Sequence, residues 1–234
     1  MQKQSGPDTD HLPFHMESER NCVMRKLENI YQTLYSHYGD LQWGTTTPPY
    51  EVIVGAILTQ NTAWTNVEKA IERFDGNLSP ERILDLPLEE LQEIIRPAGF
   101  FRQKSQYLKT VTEWFMSYEG DLNLIKSRPL PDIRSELLKV RGVGNETADS
   151  ILLYAFGFPT FVVDAYTMRF FRRFPIDAGK TYMEVKNYCE AELPREVELY
   201  SLFHALIVHN CKEHCKKKMD CSGCPLEKYC EKIP

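Results

Sequence analysis

The stretch Asp132–Phe156, "DIRSELLKVRGVGNETADSILLYAF", decides how this chain is read. Apolar residues at helical spacing run up to Val140, two glycines flank Val143, and a second helical periodicity starts at Glu146. The pattern is a helix, a five-residue hairpin and a second helix, over 132–156. Glycine accepts positive φ, so Gly142 and Gly144 allow a sharp reversal. Without side chains in the way, the turn can bring its backbone N–H groups to a phosphate, helped by the unpaired amides and positive dipole end of the following helix. Val143 plugs the turn into the core, and Arg141 can add a phosphate contact. Such a turn holds a DNA backbone and reads no bases. An ordinary αα-hairpin with glycine caps has the same sequence, so the turn alone does not decide between the two.

The segment after the hairpin does decide. Phe158–Phe174, "FPTFVVDAYTMRFFRRF", places a proline-containing loop and three apolar residues before Asp164, with Arg169, Arg172 and Arg173 on the helix beyond. Asp164 is a natural N-cap for that helix, and a capping carboxylate can still face a cleft. Hairpin, apolar helix, loop and aspartate together resemble the helix-hairpin-helix, Gly/Pro-rich-loop, aspartate signature of the endonuclease III superfamily of DNA glycosylases, over about residues 24–230. The resemblance implies that Asp164 is the catalytic carboxylate that breaks the N-glycosidic bond. It also implies that Arg141, Gly142, Val143 and Gly144 grip the DNA backbone. Members that also cut the strand carry a lysine where this chain has Glu146. A carboxylate cannot form the Schiff base that strand cleavage needs, and the neighbours Asn145 and Thr147 offer no amine. The chain is therefore expected to be a monofunctional glycosylase that leaves an abasic site. Glu146 itself is read as a solvated acid in a first helical turn, where the helix dipole favours it.

Further upstream, "ILTQNTAW" is read as one helix carrying Gln60, Asn61 and Trp64. Core packing is one reading of Trp64. In the superfamily this segment supplies a polar wedge for the hole left by the flipped nucleotide, which Asn61 fits best, with Gln60 beside it. "ILTQNT", the acid after the hairpin and "VVDAY" are most similar to the 3-methyladenine DNA glycosylase III branch. That likeness implies an aromatic sandwich for an alkylated purine, here from Trp43 and Trp64, where a cationic base stacks favourably between indoles. The implied substrate is 3-methyladenine in double-stranded DNA. Uracil or thymine in a mismatch, or an oxidised pyrimidine, is the rival. A non-catalytic DNA-binding module is an alternative of another class, and the acid at 164 speaks against it.

Five of the seven cysteines lie from Cys211 onward. Cys215, Cys221, Cys224 and Cys230 form C-x5-C-x2-C-x5-C, a metal pattern rather than a disulfide framework. Spacing alone admits tetrahedral zinc or a [4Fe–4S] cluster. The superfamily resemblance implies the cluster, though the first gap is one residue shorter than usual, so Cys211 and His214 stand beside Cys215 as candidates for the first ligand. Lys212, Lys216, Lys217 and Lys218 make this loop basic, either as a phosphate grip or as a solvated face. Cys22 and Cys189 are read as unliganded thiols.

The rest of the chain bounds these readings. It has 234 residues, 42% hydrophobic and 26% charged, enough for one or two packed units. A net charge of −5 argues mildly against a nucleic-acid binder, but a local basic face is what phosphates meet. The most apolar run, Ile151–Val163, contains Gly157 and Pro159 and is short of the ~20 residues a membrane span needs. With no signal peptide in its polar first twenty residues, the chain is expected to be a cytoplasmic monomer. Alternating period-2 runs are nearly absent and helical ones recur, one of them, "LSPERILDLPLEELQEII", opening on a Ser-Pro start. The expectation is an all-α fold with about ten helices in two lobes. Residues 1–20 are taken as a tail, 45–157 as a helical barrel, and 21–44 with 158–234 as the lobe bearing the metal loop (211–230).

Overall fold

The computed structural model describes residues 27–42 and 47–230. Twelve α-helices succeed one another: α1 (Leu27–Tyr38), α2 (Pro49–Leu58), α3 (Trp64–Glu72), α4 (Pro80–Asp85), α5 (Leu88–Ile94), α6 (Phe101–Met116), α7 (Leu122–Lys126), α8 (Leu130–Leu137), α9 (Asn145–Ser150), α10 (Ala165–Arg173), α11 (Tyr182–Glu192) and α12 (Val197–Glu213). A short 3₁₀ turn, Arg96–Ala98, precedes α6, and α9 runs directly into a π-helical stretch, Ile151–Ala155. No strand occurs among the described residues. None of their helices is long and apolar enough to cross a membrane.

Two apolar cores organise these helices. The first takes Ile53, Ile57, Phe74, Leu108, Val111, Val143, Leu152 and Phe156 among others, all from α2 to the π-helical stretch. The second joins Leu27, Ile30 and Leu34 of α1 to Phe161, Val163, Phe170, Phe203 and Leu226. The π-helical stretch serves both, since Leu152 enters the first core and Leu153 the second. That is why "ILLYAF" is apolar all round.

Polar groups lash the cores together. Asp149 is fully buried and accepts from Arg134 Nε and Nη2 at 2.8 and 2.9 Å, from Tyr182 Oη at 2.7 Å and from Thr160 Oγ1 at 3.1 Å. Lys186 Nζ stands 3.6 Å away and is in contact with Glu190 and Thr160. Helices α8 and α9, from the hairpin, are thereby tied to α11.

Two expected helices prove to be broken. "LSPERILDLPLEELQEII" starts as expected, with Ser79 Oγ accepting from Arg82 N at 3.2 Å and Pro80 in the first turn. It then stops at Leu86, because Pro87 has no N–H to give and forces the residue before it into an extended conformation. "ILTQNTAW" is not one helix either. Helix α2 ends at Leu58, Asn61 turns through a positive φ of 55°, and Trp64 opens α3. Asparagine tolerates that left-handed conformation better than most residues.

Candidate active site

The hairpin is held from behind by two side chains. Gly142 has φ 91°, and a Cβ there would lie 2.1 Å from the Tyr107 ring, so only glycine fits. Gln60 donates from Nε2 to Gly142 O at 2.9 Å and Thr147 Oγ1 at 3.0 Å. Val143 is buried in the first core. Gly144 differs. Its φ of −96° suits any residue, and a Cβ on it would meet nothing within 4 Å. Gly144 is thus not required by the fold and leaves its face of the turn open to an incoming group. Arg141 is exposed beside it.

In front of the hairpin lies a cleft of about 490 Å³, lined by Thr59, Gln60, Asn61, Gly142, Gly144, Asn145, Glu146, Thr147, Ser150 and Tyr182 with Ala56 and Tyr107. Most of the lining side chains carry a polar group, though apolar atoms make up nearly half of the wall. Gln60 is committed to the hairpin, so of the two expected wedge residues Asn61 is the exposed one, at its left-handed turn. Phe100, missed in the sequence, stands nearby. It is 63% exposed at φ 47°, and its ring faces Lys104 Nζ, which is hydrogen-bonded at 2.8 Å to Leu58 O at the end of α2. An aromatic after "AG" at the start of a helix was the signal that could have found it.

Glu146 is exposed in the first turn of α9 and stands in the wall of the cleft. Its side chain reaches solvent through the cleft, yet protein closes around it. Burial pushes its carboxyl up, the charge of Asp164 pushes the same way, and His204 opposes both. Asp164, as expected, caps α10: its Oδ1 accepts from Thr167 N at 2.7 Å and Thr167 Oγ1 at 2.9 Å. Its Oδ2 lies 3.7 Å from His204 Nε2, and its side chain is only 14% exposed. Burial favours the neutral acid, but His204 and the Thr167 donors outweigh it and hold the carboxyl below its usual range. Two carboxyls in one site are thus driven in opposite directions, one toward keeping a proton and one toward losing it.

Trp64 is 49% exposed, so it is no core residue; its ring rests on Gly55 of α2, where a Cβ would be 3.1 Å from it. It does not line the polar cleft. Trp43, its expected partner, lies outside the described residues.

The cysteine loop is anchored by the helix that Asp164 caps. Arg169 Nε donates to Cys215 O at 2.6 Å, and Arg173 Nη1 donates to Lys216 O at 2.7 Å. Cys215, Cys221, Cys224 and Cys230 all line one cavity, with Phe170, Phe174, Leu226, His214 and Asn210. Cys211 does not; it is buried with its Sγ 3.6 Å from Tyr166 O. Among the described residues, no three His, Cys, Asp or Glu side chains converge closely enough to hold a single metal ion. Asn210 is 1% exposed, its Oδ1 meets Tyr38 Oη at 3.0 Å and Cys224 Sγ at 3.6 Å, and its Nδ2 has no partner among the described residues.

Comparison with known proteins agrees with this geometry. The profile of HhH-GPD superfamily base excision DNA repair proteins matches residues 54–195. An uncharacterised protein of Methanocaldococcus jannaschii that carries the name DNA repair glycosylase is 44% identical over 206 residues, covering 86% of this chain and 94% of its own. A trapped covalent intermediate of endonuclease III with DNA superposes with a TM-score of 0.75 at 25% identity, covering 88% of this chain and 94% of that one. A Helicobacter pylori 3-methyladenine DNA glycosylase bound to 1,N6-ethenoadenine superposes with a TM-score of 0.66 at 26% identity, covering 79% and 96%.

Proposed function

The chain belongs to the HhH-GPD superfamily of base excision DNA repair proteins, and on that premise we propose that it is a monofunctional DNA glycosylase releasing an alkylated purine such as 3-methyladenine. One observation carries the reading. Glu146 lines the cleft, Asp164 lies behind it within electrostatic reach with its carboxyl held below the usual range, and position 146 offers no amine to form a Schiff base. In the reaction the C1′–N bond breaks and its electron pair leaves with the base. The sugar gains positive charge, which the Asp164 carboxylate stabilises. A water oxygen then bonds to C1′ and gives its proton to the same carboxylate, leaving an abasic site. A base that is already cationic leaves neutral and needs little help from an acid.

Arg141, Gly142, Val143 and Gly144 supply the backbone grip, with the open face of Gly144 as the point of approach. Asn61 and Phe100 are the exposed side chains that fill the space of the flipped nucleotide. An apolar wedge such as Phe100 unstacks base steps, and the polar Asn61 fills the gap beside it. The aromatic partners that the 3-methyladenine glycosylase likeness implies are Trp64, half exposed against Gly55 outside the polar cleft, and Trp43.

The cysteine cavity suits a [4Fe–4S] cluster held by Cys215, Cys221, Cys224 and Cys230. Four thiols line it without converging on one ion, and the buried Asn210 amide is a donor in need of an acceptor such as cluster or thiolate sulfur. This favours the cluster over zinc and Cys215 over Cys211 as first ligand; His214 lines the same cavity, and against it stands the softer thiolate donor of Cys215. A cluster held there would supply a rigid clamp for the basic loop.

The polar lining of the cleft favours a second reading, in which hydrogen bonds select uracil, thymine or an oxidised pyrimidine. Base release separates the two. Purified protein is offered methylated duplex DNA and, separately, duplexes with each pyrimidine lesion, and the freed base is identified by chromatography. Asp164→Asn should lose at least about 100-fold in release while keeping duplex affinity. Release of a pyrimidine alone would transfer the assignment, and undiminished release by Asp164→Asn would remove the carboxylate from the mechanism.

A further inference from the structure

Outside the groups the family assignment supplies, one buried side chain is aimed at the reacting centre. His204 sits on α12, 6% exposed, in the apolar run "SLFHALIV". Its Nδ1 is 2.6 Å from the hydroxyl of Tyr154, from the π-helical stretch. Its Nε2 is buried, without a hydrogen-bond partner among the described residues, and lies 3.7 Å from Asp164 Oδ2.

Tyr154 sets the tautomer of the ring. Burial, then the charge of Asp164, push the phenol far above its ordinary range, so it keeps its proton; the Ser201 hydroxyl pulls weakly the other way. In a neutral ring Nδ1 accepts from the phenol, and in an imidazolium it donates to the phenol oxygen; in both arrangements Nε2 carries an N–H beside the Asp164 carboxylate. At 3.7 Å the contact is beyond hydrogen-bond length but well within electrostatic reach. Catalytic contacts of this length commonly tighten when substrate closes the site.

We propose that His204, fixed by Tyr154, is a positioning residue that directs its Nε2–H at Asp164 Oδ2 and keeps that carboxylate ionised and turned toward the cleft. The two oxygens of Asp164 then have separate duties. Oδ1 is spent on Thr167 and fixes the start of α10, while Oδ2 is left for the sugar and water with His204 behind it. The other groups facing Asp164 are Glu146 from α9, Tyr154 from the π-helical stretch and the Cys211 thiol from α12, and none of these is a cation. Among them His204 is the group whose N–H opposes the repulsion from Glu146.

The Asp164 carboxyl sits below its ordinary value, so it remains ionised as pH falls. Loss of the His204 donor leaves burial and Glu146 opposed only by Thr167, and the titration of Asp164 must move up.

The inference rests on Asp164 being the catalytic carboxylate, and the experiment reads the two claims separately. Protein labelled with ¹³C at the aspartate Cγ is titrated by NMR as the full chain, with Asp164→Asn assigning the signal. His204→Leu should raise the Asp164 midpoint by about 1 unit or more, and Tyr154→Phe should raise it by less. His204→Gln, which can return an N–H to the place of Nε2, should restore most of the wild-type value. In parallel, the acid limb of base release against pH should move with the NMR midpoint. If His204→Leu and Tyr154→Phe both titrate as wild type, the positioning role is wrong. Should His204→Leu not fold, Tyr154→Phe decides alone by the same criterion. If instead the midpoint moves but Asp164→Asn still releases base, the contact is real and the catalytic assignment of Asp164 is what fails.

Discussion

Gly142 and Gly144 look alike in "RGVGN" but have different reasons for being glycine. Gly142 is demanded by its φ of 91° and by the Tyr107 ring 2.1 Å from where a Cβ would stand, whereas Gly144 has an ordinary conformation and empty space around it. Gly142→Ala should therefore destabilise the fold by ~1–3 kcal/mol. Gly144→Ala should leave stability within ~0.5 kcal/mol and weaken duplex DNA binding several-fold. Urea unfolding and fluorescence anisotropy with a short duplex measure the two; wild-type DNA affinity in Gly144→Ala would remove the hairpin face from the interface. Asp164, Glu146 and the hairpin were legible because local sequence encodes them: a cap, a first-turn acid and paired glycines. His204 and Tyr154 were not, since their contact joins residues far apart in the chain. The one available signal was a lone histidine in the apolar run of α12. Gln60 was placed in the right segment with a different task, because an amide that donates to Gly142 O cannot be foreseen from its own neighbours.

Among the helices, α10 is the rod that joins Asp164 to the cysteine loop. Asp164 caps its start, while Arg169 and Arg173 reach from its body to the carbonyls of Cys215 and Lys216. The cysteine loop therefore bears on the placement of the carboxylate. Cys215→Ser should abolish the visible absorbance of a purified, iron-loaded protein, and Cys211→Ser should preserve it; the reverse outcome would exchange the ligands. The buried knot around Asp149 does similar work between α8, α9 and α11. Asp149→Ala leaves Arg134 and Lys186 without their shared anion in a dry site, and should cost about 3–5 kcal/mol in denaturant unfolding. A loss under ~1 kcal/mol would mean that water already serves those cations. Most helices were legible from apolar periodicity and caps, Ser79 with Pro80 being the plainest. Breaks were harder. Pro87 gave a signal that periodicity across it obscured, and the turn at Asn61 depends on a left-handed conformation that asparagine permits without requiring.

For the molecule taken together, net charge of −5 argues against polyanion binding, and the fold shows why it is a poor guide. On the proposed reading, DNA contact needs only the cleft rim, with Arg141 and the hairpin amides, and the lysines of the cysteine loop; the acids elsewhere set the average. The two cores meet along the π-helical stretch; the hairpin that bounds the cleft packs on one, while Asp164 and His204 stand beside residues of the other, with Asp164 within electrostatic reach of Glu146 in the cleft. A site shared in this way accounts for a carboxyl, Asp164, that is buried yet held below its usual range, and the proposed chemistry turns on the second carboxyl, Glu146, at the head of α9. The most direct test of that account is base release from methylated duplex DNA by the purified protein, with strand nicks counted before and after hot alkali. Free 3-methyladenine, with nicks only after alkali, is the predicted result. Nicks without alkali, or methylated DNA left intact under conditions that release another base, would contradict it.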